Sequence, residues 1–164
     1  MIILGIDPGT TLIGYGLIEG EKNQGCRLKN FGCIKTSPQK TTAEKLEDLY
    51  CELIKIIKKY QPDILATEEI FFFKNHKTAI KVSQARGIIL LAGQQNNLPI
   101  YEFTPLQIKQ ALTGYGRAEK KQIQEMVRIF LKLKKIPKPD DAADALAIAI
   151  CCFNSLKSLP LKAN

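Results

Sequence analysis

A single histidine, His76, stands in the 164 residues, which removes any metal centre built mainly on imidazole. The five cysteines, Cys26, Cys33, Cys51, Cys151 and Cys152, have neither the paired spacing of a zinc site nor an even count for disulfides. A reduced, cytoplasmic setting is the expectation. Long apolar runs are missing too: the longest uncharged stretch, around Ile88 to Gly93, falls far short of the roughly 20 residues a membrane helix needs. The chain opens without the basic region of a secretory leader, and neither a repeat nor a low-complexity tract divides it. These absences predict a soluble, unprocessed protein with no membrane partner.

What is present is an apolar content of 45%, enough for a hydrophobic core in one domain over residues 1–155, followed by a short tail at 156–164. The 24 Lys and Arg against 16 Asp and Glu leave a formal charge of +8, which favours a polyanion such as nucleic acid as partner.

Residues 2–6 form a continuous apolar run halted by Pro8-Gly9, as in a buried central strand. Strands are predicted near Ile13 to Glu19 and Arg27 to Ile34. From Ala43 to Tyr60 the apolar positions recur at helical spacing, and Pro62 ends the element. A strand follows at Ile64 to Glu68, then a helix from about Lys77 to Gln95 whose small residues include Ala85, Gly87 and Ala92. Ile100 to Phe103 reads as a strand, Pro105 opens a helix, Gly114 and Gly116 interrupt it, and helical periodicity resumes from Ala118 to Leu133. Pro137 and Pro139 precede a final helix. This order predicts an α/β domain with a mixed sheet flanked by helices.

Carboxylates end two of these apolar runs and open a third. Asp7 closes the first strand, Glu68 the strand at 64–68, and Asp141 and Asp144 lead the last helix. Buried charge needs compensation, and a divalent cation supplies it. Magnesium prefers hard oxygen ligands, and in a two-metal site with ions about 4 Å apart one generates the attacking hydroxide while the other steadies the leaving oxygen. Each carboxylate also has a plainer use: a turn at Asp7, a solvated strand end at Glu68 and Glu69, a helix cap at Asp140 to Asp144. Alternation allows only one of Glu68 and Glu69 to join the site. Asp140 and Asp141 both share a helical face with Asp144, and periodicity leaves that choice open.

The motifs Gly5-Ile6-Asp7-Pro8-Gly9, Gly14-Tyr15-Gly16, Ala66-Thr67-Glu68-Glu69-Ile70-Phe71, Gln84-Ala85-Arg86-Gly87, Ala118-Glu119-Lys120-Lys121 and Asp141-Ala142-Ala143-Asp144-Ala145-Leu146 resemble, in order, those of RuvC-type Holliday junction resolvases. The resemblance covers Ile2 to about Cys151. It implies an RNase H-like fold with a five-stranded mixed sheet, and a homodimer that nicks two strands of a four-way DNA junction symmetrically. Two Mg2+ ions per site are implied, with Mn2+ able to substitute, leaving 5'-phosphate and 3'-hydroxyl ends in homologous recombination and repair. It also implies Asp7, Glu68, Asp141 and Asp144 as metal ligands, with Glu69 and Asp140 outside that set, and Lys109 and Lys120 beside the scissile phosphate. Phe71 would stack on an unpaired base, and the branch-migration proteins RuvA and RuvB would be companions.

Between Arg117 and Lys138 eight basic residues face only Glu119 and Glu125, so Arg117, Lys120 and Lys121, together with Lys74, are expected on DNA phosphates. A solvated helix face is the alternative use of that charge. The small-residue face near Ala79 to Ala92 is the expected dimer contact. Three rival functions share parts of this pattern. A phosphotransferase of the actin and sugar-kinase superfamily shares the Asp7-Pro8-Gly9-Thr10-Thr11 loop but needs two domains. A junction binder without catalysis would not need the carboxylates. Cleavage of RNA hybrids within the same fold is the third.

Overall fold

The structure is a computed structural model that describes residues 1–9, 11–21, 24–69 and 76–158. Strand β1 (Ile2–Asp7) sets the layout, because its side chains divide between two cores. Ile3 joins one core with Ile18, Ile64 and Ala66, whereas Leu4 and Ile6 join the other with Leu17, Leu53 and Leu65. A strand buried on both faces needs no polar side, which explains its unbroken apolar run.

Four more strands extend β1 in both directions. β2 (Leu12–Glu21) pairs antiparallel with it and then with β3 (Gly25–Lys35), while β4 (Ile64–Glu68) and β5 (Ile100–Phe103) add in parallel on the other side. The five-stranded order is β3-β2-β1-β4-β5. On one face lie α1 (Thr42–Tyr60) and α2 (His76–Gln95); on the other lie α3 (Pro105–Thr113), α4 (Lys120–Phe130) and α5 (Asp140–Ser158).

Local signals explain most boundaries. Thr41 and Glu44 form a reciprocal cap at the start of α1, and Thr104 with Gln107 does the same for α3, where Pro105 takes the tolerated first position. Gly114 closes α3 at a φ of 71°. Helix α4 is shorter than the periodicity of Ala118 to Leu133 predicts. Its end is a left-handed cap at Lys132, φ 52°, with the Lys132 amide donating to Ile129 O at 3.1 Å and the Leu133 amide to Arg128 O at 2.9 Å. Glycine is the usual residue there, so a lysine gave no stop signal.

Helix α5 lies directly on β1 and β2 because glycines clear its path. A Cβ at Gly5 would run into the backbone carbonyl of Ala145, and one at Gly14 into that of Asp141. Gly14 pairs with Asp7 across the sheet, so the same clearance brings the first turn of α5 over the end of β1. Gly5→Val is expected to lower unfolding free energy by about 3 kcal/mol or more, since the obstacle is backbone that cannot rotate away. Denaturant unfolding measures this, and a loss within experimental error would show that α5 can ride up at no cost.

Candidate active site

The parallel pairing of Ile6 with Thr67 leaves Asp7 and Glu68 at neighbouring carboxyl ends of β1 and β4. Alternation then fixes their direction. Asp7 shares the face of Ile3 and Gly5, and Glu68 that of Ile64 and Ala66, so both project toward α5. Glu69 lies beyond the strand, is exposed, and is tied by its amide to Phe103 O at 2.8 Å. Asp144 approaches from α5, and with Asp7 and Glu68 it lines a cleft of about 220 Å³. Lys109 of α3 and Lys120 of α4 complete its polar wall.

These carboxylates repel one another in a poorly solvated place. Burial, followed by the charges of Asp144, Glu68 and Asp141, pushes the Asp7 carboxyl up to about 8, with Lys120 opposing. Burial and then Asp144 raise Glu68, while Lys109 pulls it back. Asp144 is raised by burial despite a hydrogen bond from Lys120 Nζ at 2.8 Å. The same bond holds the Lys120 ammonium in its charged form above the usual lysine range.

The neighbouring acids separate in three dimensions. Asp141, whose charge acts on Asp7, sits where its backbone abuts Gly14. Asp140 is turned to Lys138, whose Nζ donates to Oδ1 at 2.6 Å, and that bond is the chief reason its carboxyl lies below the ordinary range.

A set of hard oxygen donors suits magnesium or manganese. Burial of these acids beside one another, which pushes Asp7 up to about 8, is what a divalent cation would relieve. Among the described residues no three acidic, cysteine or histidine side chains close into a finished cage, and the ammonium of Lys120 lies against Asp144 instead. The donors fit the ion in kind and place, and loading requires side-chain movement.

Of the cationic residues singled out in the sequence, Lys109 and Lys120 reach the cleft, while Arg117 and Lys121 lie exposed toward the α3 to α4 connection. Part of the basic stretch is already spoken for. Arg128 forks onto Glu125, with Nε to Oε1 at 2.9 Å, and Lys138 holds Asp140. Lys132, Lys134 and Lys135 are exposed. Phe71 and Lys74 fall outside the described residues. The Lys120 to Asp144 pair was missed in the sequence because its partners are 24 positions apart with no shared motif.

The RuvC model, described as crossover junction endodeoxyribonuclease RuvC, matches residues 3–152. Crossover junction endodeoxyribonuclease RuvC of Fusobacterium nucleatum subsp. nucleatum is 56% identical over 158 residues, covering 96% of this chain and 83% of its own. The protein of the same description from Halothermothrix orenii is 54% identical, covering 96% and 94%. Among solved structures, T. thermophilus RuvC in complex with Holliday junction substrate superposes with a TM-score of 0.90 at 36% identity, covering 96% of this chain and 95% of that one.

Proposed function

This chain belongs to the crossover junction endodeoxyribonuclease RuvC family, and from that premise we propose that it resolves four-way DNA junctions by paired, symmetric, metal-dependent nicks. The observation that carries the proposal is the convergence of Asp7, Glu68 and Asp144 on one cleft, with Asp7 pushed up to about 8 by burial and its acidic neighbours. Asp7, Glu68, Asp141 and Asp144 would hold two Mg2+ ions, which supply an activated water and neutralise charge at the leaving oxygen. Mn2+ would serve in their place.

The protein's own side chains do the rest. Lys109, half-buried beside Glu68, and Lys120 present ammonium groups to the phosphate as charge develops on it. Exposed Arg117 and Lys121 extend the cationic surface along the DNA backbone, supplying affinity without sequence choice. Phe71 and Lys74, next to Glu68 in sequence, are assigned to the unpaired bases and phosphates at the crossover. The ends produced are 5'-phosphate and 3'-hydroxyl, and the setting is homologous recombination and repair alongside RuvA and RuvB.

A homodimer follows from the twofold symmetry of the junction. Ala85 and Ala92, members of the small-residue face expected at the dimer contact, are instead buried with Ile89 in the chain's own core, while the outer side of α2 leaves Ile80 60% and Leu91 47% exposed, with open space beside Gly87. Ile80, Gln84, Gly87 and Leu91 follow helical spacing and make one face. Leu91→Glu is expected to shift the protein to monomers in sedimentation velocity and to uncouple the two nicks; an unchanged dimer would move the interface elsewhere.

The test of the function is incubation of a synthetic four-way junction with protein and Mg2+, beside linear duplex and an RNA–DNA hybrid. Symmetric nicks confined to the junction are expected. Equal cutting of the linear duplex would remove structure selectivity, and cutting of the hybrid alone would point to a ribonuclease.

A further inference from the structure

Two side chains four positions apart on α4, Lys120 and Gln124, face two four positions apart on α5, Asp140 and Asp144. The pairing at present is uneven. Lys120 Nζ bonds Asp144 Oδ2 at 2.8 Å and lies 3.8 Å from Asp140 Oδ2. Lys138 takes the other Asp140 oxygen, Oδ1, at 2.6 Å, which leaves Oδ2 facing Lys120. Gln124, one turn from Lys120 on α4, is buried at 6% exposure beside this group, and its Nε2 makes no geometric hydrogen bond.

We propose that Asp140 is a positioning residue that receives the Lys120 ammonium when Asp144 turns to a divalent cation. The inference rests on the reading of Asp144 as a metal ligand. While Lys120 bonds Asp144, one acid serves two cations, and metal loading must release the ammonium. Asp140 lies one helical turn back on the same face of α5, and a shift of about 1 Å brings Lys120 within hydrogen-bond distance of it. The ammonium then stays at the cleft rather than moving into solvent. Lys138 keeps the Asp140 carboxylate oriented for that exchange, so a residue outside the ligand set lowers the cost of filling the set and keeps Lys120 near the phosphate.

A double-mutant cycle read by Mn2+ affinity tests this on DNA-free protein, using isothermal titration of wild type, Asp140→Asn, Lys120→Ala and the double variant. Asp140→Asn is expected to weaken Mn2+ binding about three- to fivefold when Lys120 is present, the size of a partly exposed charge pair, and less than about 1.5-fold when it is absent. Asp140→Glu, which keeps the charge, is expected to restore most of the affinity, and thermal unfolding verifies that each variant is folded. Equal weakening in both backgrounds would mean that Asp140 acts on the ion directly and would overturn the hand-over, as would no weakening in either. Asp7→Asn serves as a separate control: if wild-type protein itself binds no Mn2+, or if Asp7→Asn binds it as well, the metal reading fails first and the hand-over falls with it.

Discussion

Four-way junctions incubated with the Asp7→Asn variant and Mg2+ are expected to stay uncut, with the single-turnover rate down by about a thousandfold or more. Asparagine keeps the shape of the side chain and one carbonyl oxygen but cannot supply the anion that two cations need between them. Asp7 is also the acid pushed furthest up, to about 8, by burial first and then by its acidic neighbours, placed by β1 against both Glu68 and α5. DNA affinity is expected to change by no more than about twofold, because phosphate contacts come from lysines and arginines elsewhere. A gel-based rate measurement paired with junction binding in Ca2+ separates the two effects. Cutting within tenfold of wild type would remove Asp7 from the chemistry.

The same substitution is expected to stabilise the metal-free protein. Asp7 titrates near 3.8 in the unfolded chain and about 8 in the folded one, so between those values the folded state holds a proton that the unfolded state has lost. The group's favourable contribution is complete below the unfolded value and disappears as pH rises through the folded value. Glu68 and Asp144, both raised, act in the same sense. Wild-type stability without metal is thus expected to fall relative to Asp7→Asn between pH 5 and 8, and by pH 8 the variant is expected to melt roughly 5 °C higher. Subtracting one pH profile from the other cancels ordinary surface titrations. Mn2+ is expected to reverse the ranking, because only wild type gains its binding energy, and to bind more tightly as pH rises, since loading must displace the Asp7 proton. A wild-type profile that climbs relative to the variant over this range would contradict the burial and charge repulsion assigned to Asp7.

These expectations trace to features of unequal visibility in the chain. The apolar run before Asp7 announced a strand buried on both faces, the helical spacing after Ala43 announced α1, and Pro105 announced the start of α3, because such signals are local. That only one of Glu68 and Glu69 can face the site also followed from alternation, but which one required knowing that Ile64 and Ala66 face α5. The choice between Asp140 and Asp141 could not be made from helical spacing. It depends on how α5 is rotated on the sheet, which is set by backbone contact at Gly5 and Gly14 with residues more than a hundred positions away. The Lys120 to Asp144 pair and the approach of Asp140 to the same ammonium are tertiary facts of that kind. The early end of α4 escaped notice for a different reason: Lys132 occupies a left-handed position that normally advertises itself with glycine.

Anomalous diffraction from crystals of the protein soaked in Mn2+ is the most direct test of the central claim that acids from β1, β4 and α5 share divalent ions. Peaks are expected in the cleft within about 2.2 Å of Asp7 oxygens, bounded by Glu68 on one side and Asp144 on the other, with Lys120 moved off Asp144. Density that avoids Asp7, or a cleft that stays empty while Mn2+ binds elsewhere on the protein, would contradict it.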